Sequence, residues 1–234
     1  MAAQIMAGAE RAAVYQIVRP DANYLGSATD VVDGRIRDFA RSLGQTSFRL
    51  VYRVAENMRR VEGNKIVLPD FELFIAACFE RQHMMMIIDE AHFLCSRQYI
   101  PVTFFEAVAT GRHQFLDIVF VGFRFQEIHP VLTSNADELY LWCITEPRDI
   151  EGIRDRCGEE VAERVAALRK TDDQRANGGS LIPGQYIHWK AGGAWKVFDP
   201  VNDPTEKGGN HVVETQGNNS NSHEVQHLSD GSNG

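Results

Sequence analysis

Short apolar runs alternate with longer amphipathic segments along most of the chain. The short runs predict strands, and they cover residues 13–18, 48–54, 84–89, 116–123 and 138–144. The longer segments predict helices, and they cover residues 1–12, 33–45, 68–82, 101–113, 146–158 and 159–170. Strands that alternate with helices of this length are typical of a mostly parallel sheet with helices on both faces. The pattern therefore predicts an α/β fold.

The last part of the chain departs from this alternation. Two aromatic-rich runs flank Ala191-Gly192-Gly193, which predicts a β-hairpin over residues 184–198. Beyond Pro200 the sequence is rich in Asn, Ser and Gly, contains no aromatic residue and holds five acids against one base. Such a composition cannot build a packed core. We therefore expect one domain over residues 1–200 and a disordered acidic tail over residues 201–234.

Composition narrows the class of protein. The 234 residues are 44% hydrophobic, which suffices for one sizeable domain. The net charge is −8, half of it in the tail, so overall charge does not indicate nucleic-acid binding but leaves room for local basic patches. The four cysteines form no C-x-x-C pair, which argues against a metal site of their own. The sequence shows neither a signal peptide nor an apolar run near the ~18 residues of a membrane span, so we expect a cytosolic protein.

The stretch RQHMMMIIDEAHFL, residues 81–94, joins an apolar strand to two adjacent acids, Asp89 and Glu90. In a nucleoside triphosphatase the first acid at such a strand tip holds Mg²⁺, usually through water, and the second polarises the attacking water. The alternative is that both acids simply end the strand and begin a solvated turn. The letters DEAH also occur in helicases, but a companion Ser-Ala-Thr motif is not found downstream, and we interpret His92 as structural.

Four further segments follow in order: GRH (111–113), DIVFVGFR (117–124), HPVLTSNADELYLW (129–142) and TEPRDIEGIRDRCG (145–158). With the acid-tipped strand they resemble the HerA/FtsK-type P-loop ATPases, which include phage and plasmid DNA-packaging and zonula-occludens-toxin-like ATPases. The resemblance covers residues 10–190. It implies a P-loop NTPase-type sheet, binding of ATP and Mg²⁺, action on DNA and assembly into a homo-oligomeric ring.

The resemblance also assigns roles to individual residues. It implies that Asp89 holds Mg²⁺ and that Glu90 activates water. It implies that Arg124, at the tip of the next strand, contacts phosphate, and that Arg112 reaches the nucleotide of a neighbouring subunit. The alternative for Arg112 is a cap at the end of its helix, where the helix dipole favours a cation. We interpret Asp137 and Asp149 as turn or helix-end residues.

Two departures from the family pattern stand out. Residues 122–125 are Gly-Phe-Arg-Phe where the family has Thr-Gln-Arg-Pro, so the polar sensor of the γ-phosphate is replaced by Phe123. No G-x-x-x-x-G-K-[ST] is present, and GSATDVVDG, residues 26–34, has glycines but no lysine. One hypothesis is that the phosphate loop and its strand are encoded upstream of Met1. The rivals are a non-catalytic scaffold that retains the fold and a nucleotide-dependent switch with no role on DNA.

The missing phosphate loop leads to an expectation about the sheet. In the fold that this chain resembles, the strand before the phosphate loop lies between the strands predicted here at residues 116–123 and 138–144. We therefore expect these two strands to leave a gap or to pair directly across it. The C-terminal hairpin is expected at an edge and not in that position.

Overall fold

The protein was analysed as a computed structural model, which describes residues 2–17, 22–54, 60–62, 65–174 and 180–201. Its helices are α1 (Ala2–Gly8), α2 (Ala22–Ser27), α3 (Ile36–Ser42), α4 (Pro69–Arg81), α5 (Val102–Thr110), α6 (Pro130–Ser134), α7 (Pro147–Cys157) and α8 (Glu159–Ala166). Its longer strands are β1 (Arg11–Gln16), β2 (Asp30–Asp33), β3 (Phe48–Arg53), β6 (Met84–Ile88), β7 (Leu116–Phe120), β8 (Glu138–Trp142), β11 (Tyr186–Lys190) and β12 (Trp195–Phe198). Short strand pairs join β4 (Arg60–Glu62) to β5 (Lys65–Val67) and β9 (Asp172–Asp173) to β10 (Leu181–Ile182).

A five-stranded parallel sheet forms the main layer, in the order β2-β3-β1-β6-β7. β1 lies at its centre because its side chains are apolar on both faces. Ala13 and Tyr15 belong to a core cluster with residues of α3, α4 and α5, whereas Ala12 and Val14 pack with Met6 of α1 and with a residue of α2. Helices thus cover both faces, and the predicted α/β fold with a mostly parallel sheet is confirmed.

An aromatic cluster fixes α4 against the sheet. The ring of Tyr15 lies 5.0 Å from the rings of both Phe71 and Phe74. Offset and edge-to-face contacts of this kind stabilise a core beyond the area they bury. The hydroxyl of Tyr52 donates to the buried carboxylate of Asp70, in the first turn of α4. This hydrogen bond lies where the helix starts, so it fixes the orientation of the helix on the sheet.

The first 45 residues differ most from the prediction. α1 ends at Gly8 and β1 begins at Arg11, two residues before the predicted strand. The helix predicted over residues 33–45 is wrong at its start, because Asp33 ends the strand β2. β2 has only four residues, Asp-Val-Val-Asp, which is too few to show a periodicity. It forms because β3 offers a parallel partner, with Asp30 opposite Leu50 and Asp33 opposite Arg53.

A second, antiparallel sheet follows, in the order β12-β11-β8. It packs on α7 and α8 through its own core cluster, which includes Leu141, Ile153 and Val165. Within the described residues β7 pairs only with β6, and β8 pairs only with β11. The two strands are therefore not paired with each other, and no other described strand pairs with either of them. The predicted hairpin is confirmed, and its first strand β11 pairs with β8.

The remaining expectations concern the tail and the membrane. Residues 202–234, nearly the whole predicted tail, lie outside the described residues. Among the helices that the structure describes, none is long and apolar enough to cross a bilayer.

Candidate functional site

β6 delivers the two acids to the carboxyl edge of the sheet. The N–H of Asp89 donates to the carbonyl of Tyr15 over 3.1 Å, so the ladder with β1 continues to this residue. Side chains alternate along a strand, and Met85 and Ile87 face α1 and α2. Asp89, two residues after Ile87, therefore lies on the same face of the sheet.

Glu90 turns the chain away from β1. Its φ of 53° and ψ of 44° place it in the left-handed region, which a residue with a side chain adopts at a cost. The next N–H, that of Ala91, donates to the carbonyl of Val121 over 2.7 Å, beyond the end of β7. The backbone thus crosses from one neighbouring strand to the other at Glu90. Strained residues of this kind are frequent at functional sites.

Polar side chains continue the line of Asp89 across the sheet. Gln16 ends β1, and the register sets it beside Arg53 of β3, which in turn lies beside Asp33 of β2. Arg53 and Asp33 are joined by a 2.6 Å bond between Nη2 and Oδ2, and this carboxylate raises the pKa of Arg53. We refer to these four residues, Asp33, Arg53, Gln16 and Asp89, as the carboxyl-edge row.

Gln16 is the unusual member of this row. It is only 3% exposed, and neither its Nε2 nor its Oε1 has a hydrogen-bond partner among the described residues. Buried polar side chains are nearly always paired. Sequence reasoning missed this residue, although a glutamine inside the apolar run AVYQIV was a visible signal.

The tip of β7 forms the next wall of the site. At Gly122 a Cβ atom would lie 2.7 Å from Cδ1 of Ile128, so the glycine lets the chain pass close to that side chain. Phe123, where the family has a polar sensor, is 71% exposed. Its ring meets the ring of His92 edge-on at 5.0 Å. Burial lowers the pKa of His92, so the ring is neutral at pH 7 and serves here as a packing group.

Arg124 is held at the amino-terminus of α7. Its Nε donates to Oδ2 of Asp149 over 3.1 Å, and Glu127 and Glu146 lie within 3.6 and 3.7 Å of its other nitrogens. The bond to Asp149 raises the pKa of Arg124. Asp149 also accepts the N–H of Gln126 over 2.8 Å. The helix-end position predicted for Asp149 is confirmed, but its bond to Arg124 was not foreseen.

Arg112 lies at the opposite edge of the sheet. It belongs to the 3-10 turn Gly111–Gln114 that leads into β7, whereas Glu90 lies near the end of that strand. Five residues of strand separate the two edges by roughly 17 Å. The side chain pairs with Asp137 at 2.7 Å, and both side chains are more than 70% exposed. The structure therefore brings Asp89, Glu90 and the β7 tip together and leaves Arg112 apart.

The carboxylate of Asp89 could hold a metal ion only together with water or substrate oxygens. No group of three or more His, Cys, Asp or Glu side chains able to hold a metal occurs within the described ranges. Mg²⁺ needs no such cage, because it keeps several waters and uses one or two carboxylates together with substrate phosphates. Asp89 supplies a carboxylate at the right edge of the sheet, and the unpaired amide of Gln16 lies beside it.

Comparison with known proteins supports this assignment of the fold. No family model and no curated protein sequence matches the chain. Among solved structures, the genome-packaging NTPase B204 of Sulfolobus turreted icosahedral virus 2, in complex with AMP, aligns with a TM-score of 0.59 and 16% identity. The alignment covers 82% of this chain and 83% of that chain. The chain has the fold of a viral genome-packaging NTPase.

Two further structures complete the comparison. The DNA-packaging ATPase B204 of Sulfolobus turreted icosahedral virus aligns with a TM-score of 0.52 and 16% identity, over 82% of this chain and 97% of that chain. The N-terminal domain of zonular occludens toxin from Neisseria meningitidis aligns with a TM-score of only 0.33 and 12% identity, over 85% of this chain and 91% of that chain. The two B204 alignments confirm the resemblance to packaging ATPases that the motifs implied as a resemblance of fold.

Proposed function

We propose that the chain is the ATP-hydrolysing part of a DNA-packaging or DNA-translocating motor. The observation that carries this proposal is the acid pair Asp89-Glu90, which stands at the carboxyl edge of a parallel sheet. Ligands bind at this edge in open α/β sheets. B204, which shares the fold, was solved with AMP, AMPPCP and ATP-gammaS, which supports a nucleotide as the ligand here.

Asp89 and Glu90 take different roles because their side chains start from different backbone positions. Asp89 continues the face of β6 that holds Ile87, and we assign to it the Mg²⁺ ion, which neutralises phosphate charge when it is bound. Glu90 follows in a left-handed conformation that turns the chain towards the tip of β7. We assign to Glu90 the orientation and deprotonation of the attacking water. Arg124, near the same tip, stabilises the negative charge that develops on the phosphate.

The phosphate loop remains to be supplied. We place its strand between β7 and β8, which do not pair with each other within the described structure. α1 precedes β1 and packs on it through Met6, so a chain that leaves such a strand at the carboxyl edge could reach β1 through α1. The loop would then lie between the tips of β7 and β8, where Arg124 and Glu146 meet.

The proposal gives Arg112 a role at the nucleotide of a neighbouring subunit. An ion pair between exposed side chains contributes little to stability, so Arg112 can leave Asp137 for a stronger anion. It lies too far from Glu90 to serve the site of its own subunit. In a ring, the amino edge of one subunit would present Arg112 to the nucleotide of the next, and the DNA would pass through the ring.

A non-catalytic scaffold is the second candidate, and two observations favour it. Phe123 occupies the sensor position and cannot donate a hydrogen bond to phosphate. Arg124 already has three carboxylate neighbours, Glu127, Glu146 and Asp149, which compete with a nucleotide for its guanidinium.

The gene and its product provide the test. The motor proposal expects an in-frame Gly-x-x-x-x-Gly-Lys-Ser/Thr segment before the Met1 codon, and DNA-stimulated ATP hydrolysis by the longer product. An in-frame stop codon and a ribosome-binding site directly before Met1 would support the scaffold instead. A longer product that binds ATP and never hydrolyses it, with or without DNA, would also count against the motor.

A further inference from the structure

The buried amide of Gln16 takes no part in the roles proposed for Asp89, Glu90 and Arg124. A glutamine side chain carries two donors and an acceptor, and removing all of them from water without partners costs stability. Gln16 is nonetheless 3% exposed, with both amide atoms unpaired among the described residues. A buried polar group without a protein partner points to an ordered water or an ion as its partner.

The position of Gln16 indicates which ligand this is. In the register of β1 and β6, Tyr15 lies opposite Ile88, so Gln16 lies beside Asp89. Ala12 and Val14 face α1 and α2, and alternation puts Gln16 on that same face, which is also the face of Asp89. A neutral amide and a carboxylate therefore stand side by side at the carboxyl edge.

We propose that Gln16 is a positioning residue for the magnesium ion, whose amide holds a metal-bound water beside Asp89. Oε1 accepts a hydrogen bond from that water, and Nε2 donates to an oxygen of Asp89 or of a second water. The inference rests on the proposed function, and it adds a residue to the site that neither the motifs nor the fold comparison indicated. Partners in the outer shell of a metal commonly tune its affinity by about 10–100-fold.

The experiment uses the 234-residue chain and Mn²⁺, which replaces Mg²⁺ and is followed by water-proton relaxation. Gln16→Met removes both hydrogen-bonding groups at nearly constant length. Gln16→Glu keeps an acceptor oxygen at the same place. Asp89→Asn removes the proposed carboxylate contact. Gln45→Met makes the same change as the first variant at an exposed position beyond α3, at the other edge of the sheet, and serves as the control.

Two readouts separate a positioning role from a structural one. We expect Gln16→Met to bind Mn²⁺ about tenfold more weakly and to melt at least about 2 °C higher without metal, because an unpaired amide is gone. Gln16→Glu is expected to bind Mn²⁺ as tightly as the wild type, because it keeps the acceptor oxygen. Gln45→Met is expected to match the wild type in both Mn²⁺ affinity and melting temperature. A lower melting temperature in Gln16→Met, or unchanged Mn²⁺ affinity, would overturn the inference.

The remaining outcomes tell the inference apart from the proposed function. If Asp89→Asn abolishes Mn²⁺ binding and Gln16→Met leaves it intact, Gln16 has no positioning role while the metal role of Asp89 stands. If binding survives Asp89→Asn, the metal site lies elsewhere and the proposed function loses its central observation. Absence of Mn²⁺ binding by the wild-type chain would overturn the role of Gln16, because both residues of the pair are present in it.

Discussion

Backbone strain occurs at both edges of the five-stranded sheet, in very different surroundings. At the amino edge, Gln82, His83 and Phe115 have φ angles of 56, 47 and 52°, and at the carboxyl edge Glu90 has a φ angle of 53°. The amino-edge residues belong to two adjoining turns. His83 donates its N–H to the carbonyl of Gln114 over 3.1 Å, and its ring stacks on that of Phe115 at 4.5 Å.

The carboxyl edge combines strain with polar groups in or beside the core. Glu90 follows Asp89 directly, and the unpaired amide of Gln16 lies on the neighbouring strand. The amino edge has a shallow cavity of about 460 Å³ beside His83 and Phe115, but its strained residues are held by turn contacts that explain them. Strain alone therefore does not mark a site. At the carboxyl edge the strained Glu90 lies near the buried amide of Gln16, which has no hydrogen-bond partner among the described residues.

The largest expected effect is a loss of ATP turnover when a carboxylate is removed at the carboxyl edge but not at the amino edge. If the proposed phosphate loop is encoded upstream, Glu90→Gln in the product that carries it should retain ATP binding and reduce turnover by about 10²–10⁴-fold, because the amide keeps the shape and loses the base. Glu10→Gln makes the same change at the amino edge, where Glu10 is exposed, and should leave turnover unchanged. Steady-state hydrolysis and equilibrium nucleotide binding measure the two effects. Turnover at the wild-type rate in Glu90→Gln would show that Glu90 merely ends a strand.

A second comparison concerns how tightly each edge is packed. At Gly152 a Cβ atom would lie 2.2 Å from Nε2 of Gln126 and 2.9 Å from Phe125, so Gly152→Ala pushes the loop after β7 away from α7. Overpacking of this kind costs about 1–3 kcal/mol. At Gly111, on the amino edge, the nearest atoms are 3.6 Å away, so Gly111→Ala should be close to neutral. Chemical denaturation of both variants tests the contrast, and equal stabilities would mean that the loop yields freely.

These contrasts also show what the sequence could and could not predict. The apolar runs and the acid pair are local signals, and they predicted the parallel sheet and the position of Asp89 and Glu90. The position of Gln16 beside Asp89 depends on the register of the sheet, because only the pairing of β1 with β6 brings the two residues together. The hydrogen bond from Arg124 to Asp149 joins residues 25 positions apart, and no pattern in the sequence predicts it. β2 forms because it pairs with β3, since two valines between two acids give no pattern of their own.

A smaller effect should follow when the strain itself is removed. Glu90→Gly allows a φ of 53° without steric cost, so the free energy of unfolding should rise by about 1 kcal/mol, which corresponds to roughly 2–4 °C in melting temperature. Phe115→Gly relieves similar strain at the amino edge but loses the stack on His83, and it should gain less. Thermal denaturation ranks the two variants. A loss of stability in Glu90→Gly would show that the side chain of Glu90 makes contacts worth more than the strain.

The smallest expected effect is a pH dependence confined to the carboxyl edge. Burial lowers the pKa of His92 below its ordinary value of 6.5, and its ring packs on Phe93 and Phe123. Above that pH the ring is neutral in both the folded and the unfolded chain, so it contributes no pH dependence. As the pH falls through 6.5, the unfolded chain takes up a proton that the folded chain resists, and stability is lost. His92→Phe removes this proton and keeps a ring against Phe123, so its stability should fall less steeply than that of the wild type between pH 7 and pH 5. Denaturation curves at a series of pH values measure the difference, and parallel curves would mean that His92 is protonated in the folded protein as easily as in the unfolded chain.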